Sequence, residues 1–111
     1  MPALVQGPAY ATAQRIARQL LGDDVVPMGN HAINKPARDG APTPWHQDEA
    51  YWDPAFDHSA ISIWVPLQDV DESNGCMTFV PGSHLEPVRP HRLIHPDAHG
   101  LRLADDSDPA D

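Results

Sequence analysis

The tripeptide His46-Gln47-Asp48, within Thr43-Pro44-Trp45-His46-Gln47-Asp48-Glu49, is the stretch whose residue types and spacing best support chemistry. On an extended segment, residues two apart project to the same side. His46 and Asp48 would then offer an imidazole and a carboxylate to one point, with Gln47 turned away. These are two of the three ligands of the 2-His-1-carboxylate facial triad, which holds non-heme Fe(II) and leaves coordination positions open. Metal binding requires a neutral imidazole and an ionised carboxylate, forms these side chains commonly take near neutral pH. A lone His-x-Asp also fits a polar loop beside a turn, so the surroundings decide the reading.

The elements that must position this pair are mostly extended. One helix is predicted over about 8–22. Gly7-Pro8 opens it, and Ala9, Ala13, Ile16, Ala17, Leu20 and Leu21 recur at helical spacing. Arg15, Arg18 and Gln19 fall on the opposite side, and Gly22 is placed to end the helix. The apolar stripe is a packing face for a sheet. From Val25 the pattern turns extended, with strands or strand edges at 25–27 and 30–35, a Gly- and Pro-rich loop over 36–44 and a short strand over 45–48. A turn-like connection at 53–58 precedes a strong strand over 60–67, where β-branched and aromatic residues alternate. Asn74-Gly75 marks a hairpin turn, and 76–80 returns as a strand ended by Pro81-Gly82. The β-core spans about 25–85. The region 86–111 carries no sustained period and reads as an irregular tail, with a disordered end from Asp105.

Composition narrows the class. The chain has 111 residues, enough for one small domain, and a formal charge of −9. That charge argues against nucleic acid and against anionic membrane surfaces, and no apolar run approaches a membrane span. Met1-Pro2-Ala3-Leu4-Val5-Gln6 lacks the features of a signal peptide. Cys76 is the sole cysteine, which fits a reducing cytoplasm and a buried packing role.

The blocks Ile33-Asn34-Lys35-Pro36, Trp45-His46-Gln47-Asp48, the strand bearing Trp64, Asn74-Gly75-Cys76 and Pro81-Gly82-Ser83-His84 follow one another in a specific order. Over about 29–85 this order resembles the phytanoyl-CoA dioxygenase (PhyH) family of Fe(II)- and 2-oxoglutarate-dependent oxygenases. The resemblance implies a mainly β fold, a double-stranded β-helix of the jelly-roll, cupin-like kind, here partial, with the one N-terminal helix. It implies His46 and Asp48 as metal ligands, and 2-oxoglutarate as cosubstrate beside Trp64. Ser62 would share the face of Trp64, and His31 occupies a position that lines the 2-oxoglutarate pocket. Read from residues alone, Trp64 also fits core packing, and His31 a half-buried strand histidine. Trp45, Tyr51 and Trp52 would wall the metal, or simply pack. His84 belongs to the turn leaving the strand.

In the family a third ligand, a histidine on a later strand, is followed by an arginine that pairs with the far carboxylate of 2-oxoglutarate. No block here matches that pattern. His91, His95 and His99 are candidates on paper, and His91 with Arg102 mimics the spacing, but 90–102 lacks a strand pattern. The resemblance therefore implies either a dioxygenase hydroxylating a small organic substrate, or an incomplete part of one that is inactive alone. Two alternatives stand beside it: a non-catalytic relative acting through self-association at unpaired sheet edges, and a cupin-like metal enzyme with another triad.

Overall fold

The computed structural model describes residues 6–38 and 42–105. The proposed irregularity of 106–111 and the centre of the 36–44 loop lie outside the described residues. The chain divides into two compact units: one takes the chain up to Asn34 together with Asp57–Asp69, and the other takes Lys35–Phe56 together with Val70 onward.

The first unit contains helix α1, Pro8–Leu21. Gly7 precedes it in extended conformation and Pro8 stands at its start, where a missing N–H costs nothing. Gly22 ends it with φ 103°, a value side-chain-bearing residues rarely adopt, and its N–H closes on the Arg18 carbonyl at 3.0 Å. The half-buried line runs Tyr10, Ala13, Ala17 and Leu21. Ile16 and Leu20 of the expected stripe are exposed instead, so the covered face is rotated toward the small residues.

The predicted strands at 25–27, 30–35 and 60–67 are not strands among the described residues. Their β-branched and aromatic residues favour extended backbone, but a strand also needs a neighbour to complete its ladder. The same correction applies to 76–80 in the second unit. The turn before it does form: Asp71 accepts the amides of Asn74 and Cys76, its carboxylate accepts the Ser73 amide and hydroxyl, and Asn74 Oδ1 accepts the Asp71 amide. Cys76 is half-buried rather than buried.

The second unit is built on a hairpin that sequence reading assigned to the irregular tail. Strand β1, His91–Leu93, pairs antiparallel with strand β2, Leu101–Leu103, in the register His91↔Leu103, Arg92↔Arg102 and Leu93↔Leu101. Further bonds extend the pairing at both ends, from Ala104 N–H to Pro90 O and from Ile94 N–H to Gly100 O, each 2.9 Å. Side chains alternate across the pleat, so His91, Leu93, Leu101 and Leu103 share one face while Arg92 and Arg102 share the other. Leu103, 5% exposed, is the buried hydrophobic residue among those described. Two 3-10 turns complete the unit, Asp48–Tyr51 and Ser83–Leu85, the latter entered through Gly82 in the left-handed region.

Candidate metal centre

The segment 45–51 is held against the hairpin and its lead-in by hydrogen bonds. Trp45 O accepts the Leu103 amide at 2.9 Å. Gln47 N–H donates to His91 Nε2 at 3.0 Å. Gln47 Oε1 accepts the Arg89 amide at 2.7 Å, and the Tyr51 hydroxyl accepts the Leu101 amide. The predicted short strand at 45–48 is thus extended through Gln47 (φ −110°, ψ 129°) and then turns into the 3-10 turn at Asp48.

This backbone brings His46 and Asp48 together. Extended Gln47 projects its two neighbours to the same side, and His46 Nε2 lies 3.3 Å from Asp48 Oδ1. The other ring nitrogen of His46 lies 2.9 Å from Pro44 O. A carbonyl only accepts, so Nδ1 carries a proton, and Nε2 is the nitrogen that faces the carboxylate. Two acceptors face each other at that gap unless a proton or a cation lies between them.

At 3.3 Å the pair is wider than the usual charge-assisted N–H···O bond of about 2.7–2.9 Å, so the contact is a loose one. The donor set, one imidazole and one carboxylate, with the imidazole oriented through a main-chain carbonyl, has the chemistry a metal ligand pair would need. The side chains are 28% and 51% exposed, so the pair is open to solvent, and as a bare ion pair it would contribute little stability.

Among the described residues no group of three His, Cys, Asp or Glu side chains converges to hold a metal. His91 is committed elsewhere: Nδ1 lies 2.7 Å from Arg89 O and Nε2 accepts Gln47 N–H, so neither nitrogen is free. His95 stands exposed in the hairpin loop beside Asp97. Arg102 lies opposite Arg92 in the ladder, on the face away from His91.

Tyr51 and His46 pack their rings in a T-shaped pair, with centroids 6.1 Å apart at 89°. Of the expected aromatic wall, Tyr51 thus packs against a ligand candidate. Trp45 and Trp52 are half-buried. His31, Ser62 and Trp64 belong to the other unit, on exposed segments outside any helix or strand, which corrects the half-buried strand setting for His31. The residue that sequence reading undervalued is Gln47. A signal for its partners existed: Leu101-Arg102-Leu103 alternates behind Gly100, and His91-Arg92-Leu93 precedes the loop that Pro96-Asp97 begins.

The sequence profile of the Phytanoyl-CoA dioxygenase (PhyH) family matches residues 2–110, nearly the whole chain. The chain belongs to the phytanoyl-CoA dioxygenase family. It is 34% identical over 88 residues to the peroxisomal phytanoyl-CoA dioxygenase of Bos taurus, covering 74% of this chain and 26% of that protein. It is 35% identical over 79 residues to a probable alpha-ketoglutarate-dependent hypophosphite dioxygenase of Stutzerimonas stutzeri, covering 71% and 27%. It is 39% identical over 84 residues to the ectoine dioxygenase of Bordetella bronchiseptica, covering 73% and 26%. This phytanoyl-CoA dioxygenase family chain spans about a quarter of the length of these relatives. No solved structure gives a significant match. Among the described residues, no helix is long and apolar enough to cross a membrane.

Proposed function

We propose that this chain carries two of the three metal ligands, His46 and Asp48, of an Fe(II)- and 2-oxoglutarate-dependent dioxygenase with a jelly-roll core acting on a small organic substrate. The observation that carries the reading is the 3.3 Å approach of His46 Nε2 to Asp48 Oδ1, with Nδ1 committed to Pro44 O. Family membership and the dioxygenase names of the relatives support it. Bound Fe(II) would supply dioxygen activation coupled to conversion of 2-oxoglutarate into succinate and carbon dioxide. His46 and Asp48 hold the metal, Pro44 O orients the His46 ring, and the Tyr51 ring shields one side of it. Trp64, Ser62 and His31 are assigned to the cosubstrate on resemblance.

Co(II) is a suitable spectroscopic substitute for Fe(II) at such a site. The 111-residue chain should bind Co(II) weakly, since two protein ligands hold a metal poorly, and both His46→Ala and Asp48→Ala should abolish binding. Unchanged binding in either variant would remove that residue from the site. With Fe(II), ascorbate and 2-oxoglutarate, succinate formation by this chain should not rise above the His46→Ala background. Turnover lost on His46→Ala would mean that the chain supplies a complete site.

A second reading rests on exposure. Among the described residues Ile33, Phe56, Leu67, Phe79 and Leu85 are more than two-thirds exposed. That much open apolar surface favours self-association, which sedimentation at increasing concentration would reveal as a rising mass.

A further inference from the structure

We propose that His91 is a positioning residue for the His46–Asp48 pair, holding the Gln47 main-chain amide and so setting the separation of the two side chains. Its consequence for metal binding rests on the reading of that pair as ligands.

Gln47 is the one residue between them, and its two backbone dihedrals decide whether they share a side. In an extended strand, the carbonyl of residue 45 and the amide of residue 47 leave by the same edge. Here the carbonyl finds a true ladder partner, the Leu103 amide, at 2.9 Å. The amide finds the His91 ring, at 3.0 Å. The imidazole thus takes the place of the carbonyl that a third strand would offer. Its aim is set from two directions. Nδ1 is bound to Arg89 O at 2.7 Å, which fixes the tautomer and leaves Nε2 as the acceptor. The backbone of His91 is in register with Leu103, the buried residue and the donor to Trp45 O. One rigid pair of the hairpin therefore grips both sides of His46. The Gln47 side chain adds to the hold through the Arg89 amide, at 2.7 Å, and Pro87 O, at 3.4 Å.

Glutamine and asparagine separate this role from that of a third ligand. His91→Gln places a carbonyl oxygen near the site of Nε2 and can accept the Gln47 amide. His91→Asn carries the same groups but stops near the site of Nδ1. In the metal-free, ¹⁵N-labelled 111-residue chain, a coupling across the hydrogen bond between Gln47 N and His91 Nε2 is expected. The His46 ring signals should shift in His91→Asn and stay near their parent positions in His91→Gln. Co(II) affinity should remain close to the parent's in His91→Gln and fall about 10-fold or more in His91→Asn. Circular dichroism and exchange of the Ile94 and Ala104 amides, which bond across the hairpin, check that both variants keep it. Absence of the coupling, or His46 signals unmoved in both variants, overturns the proposal. Equal loss of Co(II) in both also overturns it, by making His91 a ligand. If His46→Ala leaves Co(II) binding intact, the ligand reading alone fails, and the metal-free His46 signals still decide the role of His91.

Discussion

Gln47 accepts the Arg89 main-chain amide through Oε1 at 2.7 Å, across more than forty residues of chain. The side chain that sequence alternation turns away from the candidate metal is therefore the one that ties its segment to the lead-in of the hairpin.

Gln47→Ala removes that acceptor and leaves the half-buried Arg89 amide to find water. The expected loss is on the order of 1 kcal/mol in the local opening free energy, hence faster hydrogen exchange at Arg89. Gln47→Glu keeps an acceptor oxygen and should exchange more slowly than the alanine variant. Equal exchange in parent and alanine chains would show that the contact carries no stability.

Leu103→Ala should be the most damaging single truncation in the hairpin. Leu103 is 5% exposed, and its amide also holds Trp45 O. Truncating a buried leucine costs about 2–5 kcal/mol, and in a unit with so little buried apolar surface the lower end is expected. Urea unfolding followed by tryptophan fluorescence measures it. A midpoint matching the parent's would mean the hairpin is not the unit's anchor.

Tyr51→Phe separates the two roles of Tyr51. The T-shaped ring contact with His46 remains, while the acceptor for the Leu101 amide is lost. Exchange at Leu101 should accelerate, consistent with roughly 1 kcal/mol, and Co(II) affinity should hold. Tyr51→Ala should weaken both. A large fall in affinity for the phenylalanine variant would point to the hydroxyl as part of the metal site.

Asp71 should titrate below the ordinary aspartate value of 3.8, because the Ser73 hydroxyl and amide bond its ionised form. A depressed folded-state value stabilises the turn above the unfolded value, and that contribution disappears as pH falls through the folded one. Carboxyl ¹³C shifts during an acid titration report it. Ser73→Ala should move the midpoint upward, and an unmoved midpoint would assign the shift to other groups.

Helix α1 was legible because its signals are local. Proline near the start, glycine at the end and apolar spacing between them act within a few residues. The turn at 71–75 was legible for the same reason: Asp71, Ser73 and Asn74 bond one another's backbone. The hairpin was not. Its strands are three residues each, too short to show a period, and prolines at 87, 90 and 96 surround them. The long alternating run at 60–67 misled in the opposite direction, since alternation favours extended backbone but does not supply a paired neighbour.

The sequence by itself determined the helix, the polar turns, the family and the two side chains that Gln47 brings to one side. Each depends on residue identity over short spacing, where covalent geometry carries the argument. Tertiary structure alone decided which histidines are available. The sequence offers His46 as a ligand through the His-x-Asp pair and His91 only as a candidate on paper. In the fold, His46 gives one nitrogen to Pro44 O and turns the other toward Asp48, whereas His91 spends both on the backbone of Arg89 and Gln47. An imidazole has only two nitrogens, and contacts 44 residues apart in the chain determine where they point.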